Sequence, residues 1–121
     1  MDRDLPCQQI VFRAYRSKAC IDEETRGPHP VAFLLRPGET GLSVGLTYGA
    51  AISGLNKCHG AATLHVGRIR DSHLDVEHRP TDSSQDHWEI VGMPNKEMDM
   101  ARAMHFANAL ARQARTYNPP R

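Results

Sequence analysis

The seven residues Gly41–Thr47, GLSVGLT, lie between a turn-forming run, RPGETG, and an alanine-containing segment, YGAAISGLNKC. Leu42, Val44 and Leu46 alternate with small or hydroxyl-bearing residues, the period of two that marks a strand with one face on a core. The same letters contain Gly41-x-Ser43-x-Gly45, the pattern of a nucleophile elbow. An elbow needs a sharp strand-to-helix turn inside a parallel α/β-hydrolase sheet, and 121 residues cannot supply that sheet. Ser43 is therefore read as a strand residue, and the two glycines as places where another group packs close to the backbone.

Working outward, Gln8–Arg16 (QQIVFRAYR) predicts a first strand with Ile10, Phe12 and Ala14 on one side and Val11, Arg13 and Tyr15 on the other. The acidic, Pro- and Gly-containing run that follows predicts a surface loop with a helical turn near Asp22–Thr25. Val31–Leu35 (VAFLL), bounded by Pro30 and Pro37, predicts a short buried strand. From Tyr48 a short helix is expected, ending near Asn56 or Lys57. GAATLHVGRIR predicts a strand with Ala62, Leu64, Val66 and Arg68 on one face, HLDVEHR another, and DHWEIVGM a late strand stopped by Pro94. Asn95 is expected to cap a long helix over Lys96–Thr116, where Met100, Ala103, Ala107, Leu110 and Ala114 recur at three- and four-residue spacing.

This order lacks regular βαβ alternation and predicts an α+β fold: a mostly antiparallel sheet of five to six short strands, one short helix and one long C-terminal helix. The length predicts a single domain over 1–121, with 1–7 and 117–121 frayed.

Fifteen Lys and Arg against 14 Asp and Glu give a net charge of +1, which supplies no overall field for a nucleic acid or an anionic membrane. Twelve of the cations are Arg, whose planar fork suits phosphates and carboxylates. Cys7, Cys20 and Cys58 form no CxxC and cannot all pair within one chain, so a reducing, cytoplasmic setting is expected. The acidic residues of MDRDLPCQQIVF argue against a secretory signal, and no apolar run approaches the ~20 residues that span a bilayer. Seven histidines raise the question of a metal, but His73, His78 and His87 show no HxH or HExxH spacing, and no metal site is predicted.

Arg13 in an early strand, Ser43 in a middle strand leading to a helix, and Glu89 in a late strand (VFRAYR, LSV, HWEI) resemble the Arg, Ser, Glu arrangement of the ADP-ribosyltransferase-like superfamily, including its small bacterial toxin domains. The resemblance covers roughly Gln8 to Gly92. It implies that the chain binds NAD, with Arg13 on the phosphates, Ser43 on the nicotinamide side and Glu89 promoting loss of nicotinamide. A carboxylate stabilises the oxocarbenium character that develops on the ribose, and an Arg fork compensates the pyrophosphate. Tyr15 or Tyr48 would stack on the ring. The sequence departs from the family pattern in having one serine in place of Ser-Thr-Ser, and His87 two positions before Glu89 in place of Gln or Glu. FLLRPGETGLSV and LHVGRIR also resemble small bacterial proteins of unassigned activity.

The alternative is a non-enzymatic binding or adaptor module, antitoxin-like, whose C-terminal helix carries Arg102, Arg112 and Arg115 to a protein partner. A nucleic-acid partner is less well supported, because Glu97 and Asp99 accompany those cations. Met98, Met100 and Met104 suit either a core or a homo-oligomer surface.

Overall fold

The first strand, β1 (Ile10–Ala14), buries Val11, Arg13 and, just beyond it, Tyr15, so the second of the two alternating faces is the one turned inward. It pairs antiparallel with β3 (Ala61–His65), which pairs on its other side with β6 (Arg115–Tyr117). A second antiparallel sheet has the order β2 (Leu42–Val44), β5 (Trp88–Val91), β4 (Asp75–His78). The structure, a computed structural model, describes residues 4–82 and 84–118. Among the described residues, six strands in two antiparallel sheets, with helices packed around them, make the fold α+β.

The two sheets meet where Phe12 of β1 and Gly45, just after β2, exchange backbone hydrogen bonds of 2.8 and 2.9 Å. The short helix α1 (Tyr48–Ile52) starts on Thr47, whose hydroxyl accepts from the Ala50 N–H at 3.0 Å, and its backbone presses on Gly45. A Cβ on Gly45 would stand 2.5 Å from the Ala51 nitrogen, so the glycine is a packing requirement. In the second sheet, Leu42, Val44, Val76, Trp88 and Ile90 point into the core while Ser43, Glu77 and Glu89 point away from it.

Several expectations change, and the short helix from Tyr48 stops at Ile52, before Asn56. Val31–Leu35 is not a strand: Pro30–Phe33 forms a 3₁₀ turn, because Pro30 presets a helical φ and His29 Nδ1 accepts from the Val31 N–H at 3.1 Å. Its Ala32 and Phe33 are buried, and the turn packs against the terminal helix. The strand from Ala61 ends at His65, and Val66–Asp71 forms a second short helix, α2, burying Val66 and Ile69. Gly67 opens that helix under Cys7, whose Cβ would lie 2.9 Å from an added methyl.

The terminal helix, α3, runs Met100–Gln113, shorter than expected at both ends. Its cap is Asp99, accepting from the Arg102 N–H at 3.0 Å, whereas Asn95 organises the turn before it through Glu97. Ala103, Phe106, Ala107 and Leu110 are its buried stripe. At its end the chain extends into β6, so Arg115 and Tyr117 belong to a strand. Leu5 is buried and Cys7 is hydrogen-bonded to Gly67 through its carbonyl, so the expected fraying does not extend to them. Positions 1–3 and 119–121 of the segments expected to fray lie outside the described residues.

Candidate functional site

Side-chain alternation brings Ser43 and Glu89 together, because they are direct partners across β2 and β5. Glu77 of β4 faces Glu89 from the other side, which sets two carboxylates opposite one another. Arg79 relieves that repulsion: Nη1 donates to Glu89 Oε1 at 2.9 Å and Nη2 to Glu77 Oε2 at 3.2 Å. Nη1 also donates to the Thr40 hydroxyl at 2.8 Å. The other oxygen of Glu89 faces His87, with Nε2 to Oε2 at 3.0 Å. Ser43 Oγ lies 3.4 Å from the same ring nitrogen.

This cluster does not build a serine nucleophile. A hydroxyl–imidazole–carboxylate relay uses both ring nitrogens, one for the hydroxyl and one for the acid. Here both contacts converge on Nε2, so the two ring nitrogens are not divided between the hydroxyl and the acid. What the cluster does supply is a carboxylate held on both oxygens, with an imidazole and a hydroxyl beside it.

Arg13 approaches from the neighbouring sheet. Its side chain is on the buried face of β1, with Nε donating to the Ala32 carbonyl at 3.0 Å and Nη1 to the Ser43 carbonyl at 2.9 Å. The residue is 8% exposed, and among the described residues no carboxylate lies within 4.0 Å of it. Burial lowers the guanidinium from its ordinary value, and the more distant carboxylates of Glu39 and Glu89 oppose that effect. Arg stays charged in proteins, so a buried cation is present without a direct counter-ion. Nη2 has no hydrogen-bond acceptor among the described residues.

Two clefts flank this arrangement. One, of about 340 Å³, is lined by Ser43 and His87, by the backbone-hugging Ala50 and Ala51 of α1, and by the hydroxyl residues Ser53, Thr81 and Ser84. The other, of about 380 Å³, is lined by Arg13, Arg36, Lys96 and Cys20 over an apolar floor including Ala32 and Leu35. Arg16 lines both. Glu89 lines neither and sits behind the His87 ring.

The tyrosines are elsewhere. Tyr15 is fully buried, its hydroxyl 2.8 Å from Thr116 Oγ1, and a side chain committed to the core cannot stack on a ligand. Tyr48 packs on Tyr117 with ring centroids 5.2 Å apart and lines neither cleft. Arg102 and Arg112 are exposed on α3, with Arg102 lying over Phe106, while Arg115 has left the helix for β6. Among the described residues no group of three or more His, Cys, Asp or Glu is arranged to hold a metal, no cysteine is paired, and no helix is long and apolar enough to cross a membrane.

His87, Arg79 and Arg16 are the site residues that motif spacing did not select. For His87 the signal was present, since two residues before Glu89 on a strand means the same face. Comparison with protein-family models, with curated proteins and with solved structures found no match. The geometry of these residues therefore carries the functional reading.

Proposed function

We propose that the protein binds NAD and acts as an ADP-ribosyltransferase-like domain of the toxin type, releasing nicotinamide and transferring ADP-ribose to a macromolecular acceptor. The observation that carries the proposal is the convergence on Ser43: its carbonyl receives the buried Arg13 guanidinium, and its side chain faces Glu89 across the strand pair. The fit to a dinucleotide rests on Arg13, a buried cation whose Nη2 has no acceptor among the described residues, and on the hydroxyl-lined cleft beside Ser43 and His87. Arg16, shared by the two clefts, would hold the segment between them.

In this scheme Arg13 and Arg16 hold the pyrophosphate by charge-assisted hydrogen bonds. The bare surface of Ala50 and Ala51 and the Ser43 hydroxyl receive the nicotinamide end. Glu89 lines neither cleft, so its negative charge would act on the ribose from behind the His87 ring as the glycosidic bond lengthens, where positive charge develops. His87 and Arg79 are positioning residues that hold the two carboxylate oxygens. A non-enzymatic adaptor role for α3 remains the competing proposal.

Ligand that binds only the folded chain raises the melting temperature by mass action. Millimolar NAD is expected to raise Tm by several degrees, with the shift reduced in Arg16→Glu. Absence of any NAD-dependent shift would favour the adaptor role.

A further inference from the structure

The cleft that contains Arg13 holds more positive charge than a dinucleotide pyrophosphate requires. Arg13, Arg16, Arg36 and Lys96 all line it, and among the described residues no carboxylate does. Glu39 lies beside Arg36, its Oε1 accepting from the Arg36 N–H at 2.6 Å and its Oε2 standing 3.9 Å from Nε, at the limit of an ion pair. Arg36 and Lys96 are brought together by Asn95, whose Nδ2 donates to the Arg36 carbonyl at 3.2 Å. Of the four cations, Arg16 also lines the Ser43 cleft, whereas Arg36 and Lys96 line only the basic one. The charge therefore extends away from Ser43, past Arg13, to a pair of cations on two loops.

A linking pyrophosphate brings about two negative charges, and a phosphomonoester adds about −1.5 to −2 more near neutral pH. Such a group also presents three acceptor oxygens, which an Arg fork and a Lys ammonium can share. We infer that Arg36 and Lys96 form a phosphomonoester subsite, so that the ligand of this cleft is a 2′-phosphorylated dinucleotide in preference to the unphosphorylated one. The inference rests on the dinucleotide proposal above and specifies its substrate class.

The test is calorimetric titration of the full chain, near neutral pH and at moderate salt, with two matched pairs: NADP against NAD, and adenosine 2′,5′-bisphosphate against AMP. Each 2′-phosphorylated ligand is expected to bind about tenfold more tightly than its counterpart. In the Arg36→Glu, Lys96→Glu double variant that preference is expected to fall to within about twofold of unity. Lys96→Gln alone is expected to give an intermediate preference, and it serves if the double variant does not fold. Equal affinities in the wild type, a preference that survives both substitutions, or no binding of either pair would overturn the subsite. The adenosine pair contains no nicotinamide, which separates the two proposals. A preference without nicotinamide release would retain the subsite and remove the transferase chemistry; release from NAD without a preference would do the reverse.

Discussion

A methyl group added at Gly41 would lie 2.5 Å from Oε1 and 2.9 Å from Cβ of Glu89, and 3.1 Å from the Ile90 carbonyl oxygen. The carboxylate end could swing aside, but the Cβ and the backbone oxygen could not move without disturbing β5. Gly41→Ala is therefore expected to destabilise the fold by about 1–3 kcal/mol, the usual range for overpacking. Urea-unfolding midpoints check this, and a change below about 0.5 kcal/mol would show that the strands separate freely there. The glycines of GLSVGLT thus have two separate causes: Gly41 admits Glu89, and Gly45 admits the backbone of α1. Close approach was legible in the sequence, but the identity of the approaching group was not. Arg79 shows why: two residues after Glu77 it shares that face by strand period, but its reach to Glu89 and Thr40 depends on β4 pairing with β5 beside β2, which no period encodes.

Elements with regular alternation were readable, and elements whose character depends on a local cap were not. Leu42, Leu64 and Trp88 lie on the inward faces that a period of two would assign to apolar residues, whereas β1 turns inward its mixed face of Val11, Arg13 and Tyr15. VAFLL and VGRIR have strand-like composition, yet the proline and histidine before the first and the packing of Gly67 on Cys7 turn both helical. At β1 and β6 the alternation has a further consequence. Tyr15 follows β1 on its buried face and meets Thr116 of β6, linking the outer strands of the first sheet.

Burial raises the Tyr15 phenol above its ordinary value, opposed in part by the Thr116 hydrogen bond, because the charged phenolate is poorly solvated there. A group whose folded-state value is raised keeps its full stabilisation below the unfolded value. That stabilisation is lost as pH rises from about 10 through the folded value. Unfolding midpoints are therefore expected to fall as pH is raised above about 10, and less steeply in Tyr15→Phe. Tyr48 is raised in the same direction, again by desolvation, so the substitution weakens the alkaline transition without abolishing it. An unchanged slope in Tyr15→Phe would assign the transition to other groups.

At the scale of the whole molecule, the candidate site lies at the seam between the two three-stranded sheets. β1 provides Arg13 from one sheet, β2 and β5 provide Ser43 and Glu89 at the other with His87 just before β5, and the Phe12–Gly45 bridge fixes their separation. The parity of each strand was legible, so Ser43 and Glu89 could be set on matching faces. Which sheet edge met which, and hence that a buried Arg13 would bond to the backbone of Ser43, depended on tertiary packing.

The most direct measurement is nicotinamide release from NAD by the wild-type chain and by Glu89→Gln. The Arg79–Glu89 pair is partly exposed, and pairs of that kind contribute at most about 1 kcal/mol, so the variant is expected to fold. The transferase proposal predicts release by the wild type and a loss of about 10²-fold or more in Glu89→Gln, the scale of removing one preorganised charge-stabilising group. Release at equal rates from both proteins, or none from the wild type, would contradict it.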